Sequence, residues 1–195
     1  MQPELQPIRT GGSLPAQDYA VQQHRVLRNT YWLLALSLIP TVIGAAVGTN
    51  LDLGFTLFMG LLLGPVLQFV LGLNNGIQLV MMAAGGTAAV FFGLAGLASS
   101  TTRDFGFLAK FLFVGFIVIM LAILANIFLA SPILYLTLLG AIILFSSAVI
   151  LFQINAIVRG GETNYVSATL SLYVSIWNIF SSLLQLLGIF GGNRD

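Results

Sequence analysis

The chain has no cysteine, a single histidine, and charged residues at only 7% of its 195 positions. Without cysteine there is no disulfide framework, thiol nucleophile or cysteine metal site. The formal net charge of +1 gives no basis for binding nucleic acid. About a quarter of the residues of a soluble domain are charged, so this composition excludes an ordinary water-facing surface.

Apolar residues take the place of the missing charge: hydrophobic residues form 58% of the chain, and its mean hydropathy is +1.01. A helix needs about 20 apolar residues to cross about 30 Å of hydrocarbon. Long apolar stretches favour helices over a barrel, whose short strands alternate polar with apolar residues. The sequence therefore predicts an all-α integral membrane protein, a polytopic bundle of six transmembrane helices. The predicted spans are 31–48, 53–72, 77–98, 107–129, 132–153 and 165–189.

The chain divides into a polar N-terminal tail, residues 1–24, and the helix bundle, residues 25–195. The tail lacks the apolar region of a cleavable signal peptide and is predicted to be flexible and cytoplasmic. Within the third span, small residues such as Gly85, Gly93 and Gly96 predict faces on which neighbouring helices pack closely.

Residues that could carry out catalysis are missing from the spans. Ionisable side chains fall in the connections or at span ends, and His24 lies in the tail. There is no His/Asp/Glu cluster with metal-ligand spacing and no nucleophile–base pair. We therefore predict no catalytic residue, no metal and no cofactor, and we do not expect an enzyme.

Uncharged polar residues follow one face of each of the last two spans. Spacings of 4, 3, 4 and 3 in the last span, and of 7 in the span before it, place them on common helix faces. Two interpretations stay open: hydrogen bonds between the two helices, or a water-filled or ion-conducting path. We call this set the polar seam: Ser146, Gln153, Ser171, Ser175, Asn178, Ser182 and Gln185.

The connection between these two spans carries helix stop and start signals. Gly160 and Gly161 predict a helix end with a left-handed C-cap. Thr163 or Asn164 is predicted to cap the next helix, with the carboxylate of Glu162 near its positive end.

Cationic residues precede the first span (Arg25, Arg28), follow the third span (Arg103, Lys110) and precede the last span (Arg159). Cytoplasmic connections are enriched in lysine and arginine. If all three spans between Arg28 and Arg103 cross the membrane, the first two cationic groups lie on opposite sides of it. Lysine and arginine would then show no preference for the cytoplasmic side. The count therefore predicts that one of these three spans does not cross, or that the chain lacks a span.

Several strings, in order along the chain, resemble the YccA-type bacterial branch of the Bax-inhibitor-1 (TMBIM) family. The resemblance covers residues 20–195 and is strongest in the C-terminal block. The strings are VLRNTY at 26–31, GGTAAVFF at 85–92, TTRDF at 101–105, ILFQ at 150–153, RGGETNY at 159–165 and ATLSLYVS at 168–175.

The resemblance implies a fold of seven helices, one more than the six predicted spans. This chain passes from its first helix to the third near Thr49, where the family has a whole helix. Restoring that helix would place the tail, Arg103 and Arg159 together on the cytoplasmic side.

YccA-type proteins are partners and modulators of FtsH, the membrane-anchored AAA+ protease. The resemblance therefore implies a multi-pass protein of the bacterial inner membrane that binds and inhibits FtsH. The N-terminal tail would be the segment that the protease engages. The polar tail and the apolar bundle are compatible with this role, with the lipid bilayer as the other partner.

The alternative implied by the resemblance is a calcium or cation leak channel. Calcium-leak members of the wider family use an aspartate pair in the last two helices as a pH-sensing gate. The matching positions here are Gln153 and Ser175, whose amide and hydroxyl groups do not titrate near physiological pH.

Overall fold

The computed structural model describes residues 24–36, 59–101 and 104–192. These residues are helical with short connections, and no strand occurs among them. The predicted all-α helix bundle is confirmed. The helices are α1 (helical residues 24–36), α2 (Met59–Leu71), α3 (Gly76–Ser100), α4 (Leu108–Leu129), α5 (Pro132–Val158) and α6 (Tyr165–Gly191).

Within the described ranges, the four helices α3 to α6 are long and apolar enough to cross a membrane. They coincide with the last four predicted spans, although α5 continues to Val158, beyond the predicted end at residue 153. Helix α2 is described over 13 residues, Met59–Leu71, and begins at the edge of a described range. The first two predicted spans lie partly outside the described residues.

The turn between α4 and α5 is built from local signals. Ala130 ends α4 in the left-handed region, with φ of 45°, and its N–H donates to the Asn126 carbonyl at 2.8 Å. Ser131 then caps α5, since its hydroxyl accepts from the Leu134 N–H at 3.4 Å. Pro132 follows at a first-turn position, where its missing N–H costs no helical hydrogen bond.

The connection between α5 and α6 confirms the predicted left-handed C-cap. Gly160 has φ of 75°, its N–H donates to the Ile157 carbonyl at 3.0 Å, and the Gly161 N–H donates to the Ala156 carbonyl at 2.9 Å. These two bonds form a Schellman motif, which satisfies carbonyl groups at the end of α5.

Of the two candidate caps for α6, the structure selects Asn164. Its Oδ1 accepts from the N–H groups of Val166 at 3.0 Å and Ser167 at 3.3 Å. Glu162 lies just before this cap, and its Oε1 accepts from the Asn164 N–H at 2.8 Å. A carboxylate here also interacts favourably with the positive end of the α6 dipole.

Charged side chains gather at one end of the bundle, which we call the cationic end. Contacts between Val26, Ile157 and Ala168 bring together the start of α1, the end of α5 and the start of α6. The Phe105 N–H donates to Asn155 Oδ1 at 3.2 Å, which places the α3–α4 connection there too. The Lys and Arg residues of the described ranges lie here: Arg25, Arg28, Lys110 and Arg159.

The opposite end contains the α2–α3 turn, the α4–α5 turn and the end of α6. We call it the uncharged end because none of the described residues there is charged. Asn75 Nδ2 donates to the Gly191 carbonyl at 2.6 Å and ties two of these segments together. Lysine and arginine are enriched in the cytoplasmic connections of membrane proteins, and those of the described residues share the cationic end. This arrangement agrees with the prediction that the cationic groups share a side.

Helices α1 and α2 run in the same direction. Helix α1 leads away from the cationic end, and α2 pairs with α3 and leads into the turn at the uncharged end. Consecutive membrane crossings alternate in direction, so two parallel helices normally have one crossing between them. The predicted absence of a second family helix therefore fits the directions of these two.

The core lies where α1, α3, α5 and α6 meet, and each contributes buried side chains. Leu34, Phe91, Ile154 and Ile179 represent the four helices in this cluster. The ring of Tyr31 on α1 meets the ring of Phe91 edge-on, with centroids 6.4 Å apart. Helix α6 packs on α2, α3 and α5 and is the most buried of the four long helices, whereas α4 contacts only α5 among α2 to α6.

The small residues of α3 do not all pack as the sequence predicted. Ala83 is fully buried, and a Cβ added to Gly86 would meet Leu183 on α6 at 3.5 Å. A Cβ added to Gly85, Gly93 or Gly96 would meet no other atom within 4 Å. The expectation of close helix packing is therefore wrong at these three glycines, because α3 turns that face away from α6.

Gly160 offers a test of the α5–α6 turn. Gly160→Ala should lower the free energy of unfolding by about 1–2 kcal/mol, because a side chain is disfavoured in the left-handed region. Reversible unfolding in detergent micelles, followed by circular dichroism, measures this change. Gly161→Ala is the matched control, since its Cβ would meet only the Ala156 carbonyl oxygen at an ordinary 3.6 Å. Equal losses in both variants would contradict this account of the turn.

Candidate functional site

The polar seam lies on the two helices that pack most extensively against each other, α5 and α6. Four of its residues are buried, with exposed fractions of 1% for Ser146, 8% for Gln153, 4% for Ser175 and 2% for Ser182. Its remaining members, Ser171, Asn178 and Gln185, are half-buried.

Apolar side chains separate the buried members of the seam from one another. On α5, Ile150 and Ile154 are fully buried on the face that carries Ser146 and Gln153. On α6, Leu172 and Ile179 stand three and four residues from Ser175 and are also fully buried. The seam is thus a line of single polar side chains, separated by apolar ones, along the contact between α5 and α6.

Most hydrogen bonds of the seam close within one helix. Ser175 Oγ donates to the Ser171 carbonyl at 2.8 Å, and Gln185 Nε2 donates to the Ser181 carbonyl at 3.0 Å. Bonding to a carbonyl one turn back satisfies a polar side chain in an apolar surrounding without a second helix. One side-chain bond joins the two helices directly: the Tyr135 hydroxyl donates to Gln185 Oε1.

The seam reaches the cationic end at Gln153. Its Nε2 donates to Glu162 Oε2 at 3.5 Å, so an amide of α5 touches the carboxylate of the α5–α6 connection. Nearby, Asn155 is 1% exposed and holds the α3–α4 connection through Phe105. The uncharged seam therefore ends at the Glu162 carboxylate at the cationic end of the bundle.

Sequence reasoning did not include several polar residues that the structure places at helix contacts. Tyr135 lies in the first turn of α5. In the sequence, an aromatic residue near a span end suggests only an interfacial anchor. Thr169 Oγ1 donates to the Thr30 carbonyl at 3.4 Å and connects α6 to α1. Thr169 lies two residues before Ser171, and a search for serine and amide spacing alone passes over it.

The chemistry of this arrangement is limited by its groups. The seam contains no ionisable side chain, so it can donate and accept hydrogen bonds but cannot change charge near neutral pH. Among the described residues, no group of three or more His, Asp or Glu side chains could hold a metal ion. The site can therefore orient polar groups or water but offers a weak environment for a bare cation.

Four long apolar helices, an uncharged interior and, among the described residues, charges at one end define a multi-pass membrane protein. The family profile described as "Inhibitor of apoptosis-promoting Bax1" matches residues 50–192, which are 143 of the 195 residues. The chain belongs to the Bax inhibitor-1 family. The resemblance inferred from its sequence strings is thereby confirmed.

The relatives identify the bacterial branch. "Modulator of FtsH protease YccA" of Escherichia coli K12 is 40% identical over 205 residues, covering 88% of this chain and 92% of the relative. "Inner membrane protein YccA" of Escherichia coli O6:H1 has the same identity and coverage. An uncharacterised protein of Pseudomonas aeruginosa is 41% identical over 201 residues, covering 86% of this chain and 90% of its own.

The first of these alignments is longer than the part of this chain that it covers. Coverage of 88% of 195 residues is about 172 residues, so about 33 of the 205 aligned positions have no residue here. One transmembrane helix with its connections needs about that length. The count agrees with the predicted loss of one family helix and with the parallel directions of α1 and α2.

Ser146 tests how the buried seam is satisfied. Its Oγ has no hydrogen-bond partner among the described residues, so Ser146→Ala should leave the free energy of unfolding unchanged or raise it by about 1 kcal/mol. Ser175→Ala, which removes a hydroxyl with a partner, should lower it by about 0.5–1 kcal/mol. Unfolding titrations of both variants in the same detergent decide the matter. A loss for Ser146→Ala as large as that for Ser175→Ala would mean that its hydroxyl has a partner.

Proposed function

We propose that this protein binds the membrane-anchored protease FtsH and inhibits its turnover of other substrates, with the N-terminal tail as the engaged segment. The main support is the relative from Escherichia coli K12, which is named a modulator of FtsH protease and aligns over 88% of this chain. The shared family and the inner-membrane location are compatible with an FtsH partner.

One structural observation carries the role of the tail. Helix α1 starts at the cationic end, where Val26 packs on Ile157 and Ala168. Because lysine and arginine are enriched on the cytoplasmic side, His24, the first described residue of α1, would lie on that side. A AAA+ protease that works in the cytoplasm can reach a segment that emerges there. The tail itself, residues 1–23, lies outside the described residues.

Inhibition requires that the engaged protein resist extraction. Helix α1 is held on three helices: Leu34 belongs to the main core cluster, and Thr30 accepts a hydrogen bond from Thr169 on α6. Removing α1 would expose buried side chains and leave the Thr30 carbonyl without this donor. A protease that pulls on the tail would therefore work against the central packing of the bundle and stay occupied.

Deletion of residues 2–20 tests the role of the tail directly. We expect FtsH to co-purify with the full chain, and its degradation of a second membrane substrate to slow several-fold. Both effects should disappear in the deletion variant, because the protease has no segment to engage. The measurements are affinity purification from detergent-solubilised membranes and the half-life of the substrate in a pulse-chase experiment.

A matched control replaces residues 2–20 by a scrambled segment of the same composition, which should retain both effects if any accessible polar tail is sufficient. The unfolding midpoint of each variant shows whether the bundle is intact. Unchanged co-purification and unchanged substrate half-life in the deletion variant would refute the role of the tail.

A cation leak pathway is a second candidate, favoured by one observation. Buried polar residues of the seam lead to Gln153, whose amide lies 3.5 Å from the carboxylate of Glu162 at the cationic end. A carboxylate at the mouth of a polar seam can raise the local concentration of cations. The family positions that would titrate are uncharged here, so this pathway would lack a gate made by that pair.

Calcium flux separates the two candidates. If the seam conducts, proteoliposomes with the full chain should take up calcium. The double variant Gln153→Leu, Ser175→Leu should abolish this uptake, because apolar side chains would then interrupt the polar seam. Thr137→Leu, at an exposed position of α5 outside the seam, is the control and should keep the flux. Flux no greater than in empty liposomes would eliminate the channel and leave the protease role unaffected.

A further inference from the structure

The outward face of α1 combines two arginines and a tryptophan. Arg25, Arg28 and Trp32 are spaced three and four residues apart, which places them on one side of the helix. All three are exposed, and Trp32 is 72% exposed. The opposite side of the same helix carries Val26, Thr30 and Leu34, each four residues from the next, and is buried in the bundle.

Neither Arg25 nor Arg28 forms an ion pair within the described part of the chain. Acidic side chains at the cationic end are engaged elsewhere: Glu162 accepts from Asn164 and Gln153, and Asp104 Oδ1 accepts from the Gly106 N–H at 2.7 Å. Two guanidinium groups on one exposed face are thus not neutralised by any acidic side chain of the described residues and can bind an anion.

The depth of these groups in the membrane follows from the helix rise of 1.5 Å per residue. Trp32 lies about 6 Å deeper along α1 than Arg28 and about 10 Å deeper than Arg25. Leu36, one turn beyond Trp32, is 60% exposed on the same side. The face therefore passes from two cations, through an indole of interfacial character, to an aliphatic side chain.

We propose that Arg25, Arg28 and Trp32 form a binding site for the headgroup of an anionic phospholipid of the cytoplasmic leaflet. The guanidinium groups match phosphate oxygens in a bidentate manner. Trp32 lies against the glycerol and upper acyl region, where indole rings concentrate in membranes. An anionic protein segment or free phosphate would not make use of the apolar part of this face, whereas a lipid occupies all of it.

The site is independent of the proposed protease function, because it needs only the bilayer. Anionic lipids attract cationic groups near the membrane surface by about 1 kcal/mol for each group, which corresponds to about fivefold in local concentration. The expected consequence is a local excess of anionic over zwitterionic lipid beside Trp32.

Fluorescence of Trp32 can measure this excess. The chain contains two tryptophans, so Trp177→Phe makes Trp32 the single emitter. This protein is reconstituted in equal mixtures of phosphatidylglycerol and phosphatidylcholine, in which one lipid or the other carries bromine near the headgroup end of its acyl chains. Brominated phosphatidylglycerol should quench Trp32 at least twice as strongly as brominated phosphatidylcholine.

Arg25→Gln with Arg28→Gln should bring this quenching ratio close to one. Lys110→Gln is the matched control, since it removes an exposed cation at the same end of the bundle but on α4, and it should leave the ratio unchanged. If the double variant does not insert, Arg28→Gln alone keeps one cation and should give an intermediate ratio. A ratio of one in the parent protein would overturn the proposal, and so would equal losses in the arginine and Lys110 variants.

Discussion

Hydrocarbon neither donates nor accepts hydrogen bonds, and this constraint governs the structure at every level. Backbone groups within the bilayer must be satisfied inside the chain, which leaves helices for a protein of this composition. Hydroxyl groups obey the same constraint: Thr87 Oγ1 donates to the Ala83 carbonyl at 2.7 Å, and Thr169 Oγ1 to the Tyr165 carbonyl at 2.7 Å. At helix ends, backbone groups that water would hydrogen-bond in a soluble protein are satisfied by an asparagine or serine cap or by a turn at a left-handed glycine.

Local features of the fold were predictable because each depends on a few neighbouring residues. The lengths of the apolar runs predicted the four long helices, because a helix needs a known number of residues to cross a bilayer of known thickness. The left-handed position of Gly160 and the cap at Asn164 follow from the conformations that those residue types favour. The distribution of arginine and lysine indicated that one of the first three predicted spans does not cross or that a span is missing. About 33 aligned positions of the relative have no residue in this chain, which agrees with the second alternative.

Contacts between helices were harder to predict from the sequence, because they depend on how each helix is rotated about its axis in the folded bundle. The sequence gives α3 a run of small residues on several sides, and only packing on α6 distinguishes Gly86 from Gly85 and Gly93. The polar seam was recognisable by its spacing, but its partners were not. A direct link between α5 and α6 uses Tyr135, which stands 50 residues from Gln185 in the chain.

The contact between α1 and α6 has a mechanical consequence. Val26, Thr30 and Leu34 meet the bundle at successive turns of α1. A load applied at the N-terminus along the helix axis would slide α1 past α6 in shear, so these contacts would have to rupture together. A load across the axis would instead peel them apart one turn at a time. The direction from which the chain is gripped therefore decides how much force the bundle withstands.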